Sequence, residues 1–179
     1  PLARLDVVAL SHWDIDHSGG LAAVLTRFRV GEFWESGRAP AGAPDTVAAL
    51  ARARVPRRAL EAGQRVRLGS AVLTVLGPGP GPPLAANDDS LVLRLTYGRV
   101  RILLAGDAEA GAERAFAGVR AEVVKVPHHG SRTSSTDALV GGSGAVAALV
   151  SAGWRNRFGH PHAEVLARWT AAGARVSRT

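Results

Sequence analysis

The sequence predicts an α/β (α+β) layered domain, with β-sheets faced by helices, on three observations. Short apolar runs and period-two alternations mark strands along the 179-residue chain. Stretches with apolar residues at helical spacing are interleaved with them. Gly- and Pro-rich segments separate the two kinds of element. A chain of this length suits one domain, read here as residues 1–179. Its hydrophobic fraction of 46% is that of a packed chain rather than a disordered one.

Arg4 to Leu10 (RLDVVAL) is an apolar run ending in a polar cluster, as a buried strand would be. Gly19 to Phe28 carries Leu21, Val24, Leu25 and Phe28 at helical spacing, and Val30 to Trp34 is a short strand. Asp45 is placed to cap a helix running through Arg54. Arg65 to Leu76 reads as two strands turning at Gly69-Ser70. Gly77 to Pro83 (GPGPGPP) is a loop, because proline withholds backbone donors. Ser90 to Thr96 (SLVLRLT) alternates with period two and pairs with Val100 to Leu104 across a Tyr97-Gly98 turn. Ala108 to Phe116 is a predicted helix, and Glu122 to Val126 and Ala145 to Val150 are strands. Pro161 to Ala171 is a helix with proline at its start, and Ala174 to Ser177 is a last strand.

Composition narrows the chemistry. With no Cys, disulfides and thiolate metal sites are excluded, and any metal must sit on His and carboxylate. The formal net charge is +7, carried by 21 Arg and a single Lys. It reads either as attraction for polyanions such as nucleic acid or anionic headgroups, or as the background of GC-rich coding. No apolar run approaches the ~20 residues that cross a bilayer, and no signal peptide opens the chain. The absence of Met and the start at Pro1 read as a piece of a longer protein.

Five segments carry chemistry. Ser11-His12-Trp13-Asp14-Ile15-Asp16-His17-Ser18-Gly19-Gly20 places four potential ligands (His12, Asp14, Asp16, His17) within six residues, directly after a strand. Two imidazoles and two carboxylates so close desolvate badly without a cation, and one or two divalent ions make them a hard N/O coordination set. Asp107 ends the apolar run of residues 102–104 after Ala105-Gly106. Alone it would be an ordinary helix cap, but beside the first cluster it could bridge two ions. Lys125-Val126-Pro127-His128-His129-Gly130-Ser131 ends another strand. Neighbouring side chains on an extended chain point opposite ways, so one of His128 and His129 is expected to bind metal and the other to support a ligand or face substrate. Lys125 reads as a surface residue. Asn87 or Ser90, in Asn87-Asp88-Asp89-Ser90, could hydrogen-bond substrate or ligand, or the segment could be an Asx turn. In the fifth segment, Ser151 to His162, Asn156, His160 and the helix-N-terminal amides suit a phosphate oxygen, while His162 reads as structural.

Taken in order, SHWDIDHSGG (11–20), NDDSLVL (87–93), LLAGD (103–107), KVPHHGS (125–131) and GHP (159–161) resemble the metallo-β-lactamase superfamily over nearly the whole chain. More narrowly they resemble the C-terminal hydrolase domain of the ComEC family of DNA-internalization competence proteins. The superfamily pattern HxHxDH stands here as His12-x-Asp14-x-Asp16-His17, so Asp14 replaces the second His. Superfamily members usually carry a further His ligand before the bridging Asp, yet residues 18–106 contain none. Fewer protein nitrogens favour an oxygen-loving ion such as Mn²⁺ alongside Zn²⁺. The resemblance implies an αββα sandwich, two mixed β-sheets flanked by helices, truncated at both ends. It also implies a place on the extracytoplasmic face of the cell membrane, as part of a membrane protein whose channel imports single-stranded DNA.

Residues and resemblance together predict a hydrolase with two divalent metal ions (Zn²⁺ or Mn²⁺) that cleaves phosphodiesters, foremost a nuclease degrading DNA during uptake. One ion would sit on His12, Asp14 and bridging Asp107. The other would sit on Asp16, His17, Asp107 and one of His128/His129, with His129 favoured. Asp16 would orient the attacking water or take its proton, and His128, His160 and Asn156 would hold phosphate or protonate the leaving oxygen. Arg132, Arg155 and Arg157 would contact the DNA backbone without reading sequence, and no small organic cofactor is expected. Two rivals stand beside this: a small-molecule phosphodiesterase of the phosphorylcholine-esterase kind, and a non-catalytic DNA-binding module whose metals only staple the fold.

Overall fold

The computed structural model describes residues 3–38 and 44–179. In chain order its strands are β1 (Arg4–Ala9), β2 (Arg29–Glu35), β3 (Arg57–Ala59), β4 (Arg65–Leu68), β5 (Ala71–Gly77), β6 (Val92–Tyr97), β7 (Val100–Leu104), β8 (Val123–Lys125), β9 (Ala147–Val150) and β10 (Arg175–Arg178). Its helices are α1 (Ile15–Ser18), α2 (Leu21–Arg27), α3 (Pro44–Arg52), α4 (Ala110–Glu113), α5 (Asp137–Ser143) and α6 (Ala163–Ala171), with a 3-10 turn at Pro127–Gly130.

β1, β2 and β3 form a small parallel sheet. The other strands form one sheet in the order β10-β9-β8-β7-β6-β5-β4. It is antiparallel from β4 to β7 and parallel from β7 to β10, so the mixed character lies in the larger sheet.

Side-chain alternation along the strands generates the layers. Phe33 of β2 joins Leu10, Trp13, Leu21 and Leu50 under α2 and α3, while its neighbour Trp34 points the other way. Trp34 packs with Leu60, Leu73, Val75 and Leu93 between the two sheets. The opposite face of the large sheet buries Leu103, Val124 and Ala148 against Phe116, Leu139 and Trp169. The result is the expected helix–sheet–sheet–helix sandwich.

Several local expectations are corrected. The predicted helix at residues 19–28 becomes α2 alone, preceded by the one-turn α1 that closes when the Asp14 carbonyl accepts from His17 N (3.0 Å) and Ser18 N (2.8 Å). α3 begins at Pro44, so Asp45 lies in its first turn, and the cap position falls outside the described residues. β3 (RRA) is fully exposed and has no alternation to announce it. The hairpin turn falls on Gly98-Arg99, where Gly98 takes φ 57°, leaving Tyr97 in β6. α4 covers only part of the predicted 108–116 helix. α5 went unforeseen because Gly141-Gly142 weaken its helical signal; Thr136 caps it by accepting from Leu139 N. α6 starts at Ala163 with His162 at the N-cap, so Pro161 precedes the helix.

Fully buried Glu113 ties this half of the fold together. Its carboxylate accepts from Ser135 N (2.5 Å) and Thr136 N (2.8 Å). Ser135 is left-handed (φ 59°), and its hydroxyl accepts from Trp169 Nε1 at 3.1 Å. Glu113→Ala strands one buried and one partly buried amide and is expected to lower unfolding free energy by about 3 kcal/mol, with Glu113→Gln losing roughly half as much. Urea denaturation of the two variants checks this; a loss under about 1 kcal/mol for Glu113→Ala would remove Glu113 from the anchoring role.

Candidate metal centre

Two strand ends meet at the site. β1 runs out into Leu10-Ser11-His12, and β7 into Ala105-Gly106-Asp107. A Cβ on Gly106 would lie 2.8 Å from both Ser11 Cβ and Ser90 Oγ, so only glycine permits the approach. That approach lets Asp107 N donate to Ser90 Oγ at 3.1 Å. Ser11 Oγ lies 3.1 Å from His12 Nδ1 and 3.2 Å from His17 Nδ1. A hydroxyl has two lone pairs, so Ser11 can accept Nδ1–H from both rings and leave both Nε2 lone pairs free.

Three side chains converge on Asp107. His17 Nε2 and His129 Nε2 each stand 3.2 Å from its carboxylate and 3.0 Å from one another. Asp16 Oδ2 lies 3.4 Å from His129 Nε2 and 3.9 Å from His17 Nε2. One donor atom from each of Asp16, His17, Asp107 and His129 lies within 4.8 Å of the others. Donors sharing one tetrahedral ion stand roughly 3.4 Å apart, so the cluster fits a divalent ion after small adjustment. The Ser151 carbonyl lies 2.6 Å from His129 Nδ1 and fixes that proton, turning Nε2 to the cluster.

His12 and Asp14 make a looser second set. Buried His12 Nε2 lies 3.8 Å from Asp14 Oδ2 and 4.0 Å from Asp107 Oδ2. Buried His12 Nε2 has no hydrogen-bond partner, and a cation would satisfy it. Burial, and then the neighbouring His17 charge, push the His12 pKa down and keep it a neutral donor. Burial works against a charged Asp107, but hydrogen bonds from His129 and His17 and the charge of Lys125 outweigh it and hold the carboxyl below its usual range.

His128 and His129 do not lie on an extended chain as the sequence reading supposed. Both are left-handed (φ 46° and 53°), in the 3-10 turn. His129 enters the cluster; His128 keeps its Nε2 3.9 Å from Asp107 and its Nδ1 3.1 Å from Glu109 Oε1. Glu109 in turn accepts from Asn87 Nδ2 (3.1 Å) and Thr133 Oγ1 (2.9 Å). Glu109, Thr133 and Ser11 were not singled out from sequence, since nothing local marks them. Lys125 is not a surface residue: its Nζ lies 3.5 Å from Asp107 Oδ1, and burial lowers its pKa. A lone Lys two residues before a His-His pair was the available signal.

A cleft of about 590 Å³ opens over the cluster, lined among others by Asp16, Asp107, His128, His129, Phe158 and His160. His160 sits beside His128, ring centroids 5.5 Å apart, with its pKa lowered by burial and then by the charge of His128. Asn156 is corrected from phosphate contact to loop clamp. Its Nδ2 donates to the Gly153 carbonyl (2.9 Å) and the His160 carbonyl (2.7 Å), and its Oδ1 accepts from His160 N (3.0 Å). Arg132 pairs with Glu164 at 3.1 Å and turns from the cleft.

A family model for the metallo-beta-lactamase superfamily matches residues 1–154. The chain is 31% identical over 99% of its length to ComE operon protein 3 of Bacillus subtilis (strain 168). It is 30% identical over 98% to competence protein ComA of Neisseria gonorrhoeae. It spans 24% of each of these relatives, about a quarter of their length. Among solved structures, it resembles CmlA, a diiron β-hydroxylase from Streptomyces venezuelae, with TM-score 0.69 and 15% identity over 100% of this chain and 44% of that one. It also resembles the metallo-beta-lactamase fold protein YhfI from Bacillus subtilis, with TM-score 0.59 and 14% identity over 98% of this chain and 74% of that one. At such identities the likeness concerns fold alone.

Protons and metal compete for the cluster. A hydrogen bond to Asp107, opposed by burial, raises the His129 pKa above its ordinary 6.5. In the metal-free chain that shift adds stability below the unfolded value, lost as pH rises through the folded one. A bound ion must displace this proton, so affinity for Mn²⁺ or Zn²⁺ should tighten from about pH 6 to pH 8, with proton release on binding. Calorimetry in buffers of differing ionisation heat measures both, and a pH-independent affinity would contradict the assignment.

Proposed function

The chain belongs to the metallo-β-lactamase superfamily, and from that premise we propose that it is a two-metal phosphodiesterase, specifically a nuclease acting on DNA in competence-linked uptake. The observation that carries this reading is the convergence of Asp16, His17, Asp107 and His129 donor atoms within 4.8 Å, with Asp16, Asp107 and His129 lining an open cleft. One ion would be held by those four residues and a second by His12, Asp14 and the shared Asp107. When bound, the ions supply acidification of water and neutralisation of charge developing on the phosphoryl oxygens.

The chain's own residues do the rest. Asp16, more than half exposed, is placed to orient the attacking water and take its proton. His128, steadied at Nδ1 by Glu109 and Thr133, presents Nε2 to protonate the leaving oxygen. His160 beside it is placed to hold the phosphate. Lys125 and the imidazoles keep Asp107 ionised as the shared ligand. Arg157 on the cleft wall suits a backbone phosphate, a contact that carries no sequence information.

Support for DNA rather than a small phosphodiester comes from the +7 net charge and from the name of one relative, competence protein ComA. Among the described residues no helix is long and apolar enough to cross a membrane. The extracytoplasmic location and the linked membrane channel therefore belong to this proposal through the resemblance to the ComEC family, and the relatives are about four times as long as this chain.

Metal-stripped protein with Mn²⁺ or Zn²⁺ restored should cleave bis(p-nitrophenyl) phosphate and labelled DNA. Loss of residues supporting a metal typically costs ~10–100-fold, so Asp107→Ala, which removes the shared ligand, should cost more than roughly 100-fold. Near-normal cleavage by folded Asp107→Ala would sink the reading, and cleavage of the small ester without DNA would restrict it to small phosphodiesters.

A further inference from the structure

The loop between β9 and α6 carries more than its part in the cleft. Trp154 is 88% exposed and Phe158 60%, and across the cleft Ile15 is 81% exposed at the start of α1. Isolated exposed apolar residues are ordinary, but Ile15 and Phe158 line the same cleft and Trp154 an adjoining depression, which marks a binding surface. The loop is built rather than slack. Asn156 bonds to both of its arms, and Arg155 is held left-handed at φ 53° between Trp154 and Asn156. The other three tryptophans, Trp13, Trp34 and Trp169, are buried.

The surface is continuous with the metal centre. Trp154, Arg155 and Arg178 border a depression of about 480 Å³. Gly153, Asn156 and His160 join it to a second depression of about 330 Å³. Asp16, His129, Phe158 and His160 join that one to the cleft over the cluster. Along the trough the Arg157 guanidinium lies 4.8 Å from the Phe158 ring centroid, and Phe158 stacks on His160 (5.7 Å, 24°). One guanidinium plane and three rings thus run in series from Arg157 through Phe158 and His160 to His128.

We propose that Trp154, with the Arg157–Phe158 pair, forms a base-stacking subsite that takes single-stranded nucleic acid beside the metal centre. The proposal rests on the phosphodiesterase reading for the fate of the strand, though not for how the strand is held. An unpaired base offers a free face to an exposed indole, whereas in a duplex both faces are covered by neighbouring bases. Arg155, Arg157 and Arg178 meet the phosphates on either side without reading sequence. The trough therefore selects strandedness, which the metal cluster by itself does not.

The test titrates the protein in EDTA with a ten-residue oligothymidylate and, separately, with a hairpin duplex of equal phosphate number, following tryptophan emission. Oligothymidylate should quench Trp154 and bind about ten-fold tighter than the duplex, and Trp154→Ala should abolish the quench and weaken single-strand binding about ten-fold. Trp154→Phe should restore most of the affinity, which a merely structural role would not require. Unquenched emission, equal binding of duplex and single strand, or undiminished binding by folded Trp154→Ala would overturn the subsite. So would a blue shift of Trp154 on anionic phospholipid vesicles with no response to oligothymidylate, which would make the patch a membrane contact. If oligothymidylate quenches as expected while bis(p-nitrophenyl) phosphate is not cleaved with Mn²⁺ or Zn²⁺, the stacking subsite stands and the phosphodiesterase reading alone fails.

Discussion

Asp107 is 3% exposed where β1 and β7 end side by side, and His17, His129, Lys125 and His128 all bring a nitrogen within 4 Å of its carboxylate. A carboxylate so deeply placed is tolerable only when charge and hydrogen bonds compensate it. The chain supplies that compensation from three directions: the His17 helical turn, the His129 turn, and the Lys125 side chain across the sheet. The close approach at Gly106 makes the convergence possible, because a side chain there would drive the β7 end away from Ser11 and Ser90. Sheet packing, histidine orientation and ligand geometry therefore depend on one junction.

Around that junction the supporting residues are mostly small and polar. Ser11 and Ser90 orient His12, Ser11 also orients His17, and the Ser151 carbonyl orients His129. Gly130, at φ 84°, abuts Pro161, so the 3-10 turn and the loop before α6 are packed as a unit. Glu109 sits within a network of Asn87, Thr133 and His128 that reaches from the loop before β6 to the turn after β8. Each contact is modest in energy, yet together they hold imidazole nitrogens at the spacing an ion needs before any ion arrives.

The same sandwich carries different reactions in other proteins, as the likeness to a diiron β-hydroxylase illustrates. What distinguishes this chain lies in its donors and rim. Asp14 stands where the superfamily pattern has an imidazole, giving the looser half of the centre a hard oxygen donor. The rim combines arginines with exposed aromatic rings, a chemistry suited to an anionic backbone with flat bases rather than to a compact neutral substrate.

The sequence by itself determined the layered α/β class, most of the strands, and the ligand set His12, Asp14, Asp16, His17, Asp107 and His129 as candidates. These were legible because their signals are local: a strand's alternation, four ligands in six residues, and an Asp or His-His at a strand end. Only the tertiary structure decided that His129 rather than His128 faces Asp16, because that choice depends on left-handed backbone at both residues, which no local pattern announces. It also moved Lys125 from the surface to the side of Asp107, turned Asn156 from substrate contact to loop clamp, and brought Glu109, Thr133 and Ser11 into the site. The site as a whole also depends on contacts between segments more than 70 residues apart, such as His17 with His129 and Ser90 with His12. A side chain's neighbours across such a separation are set by how the two sheets pack, which a linear pattern of residue types does not encode.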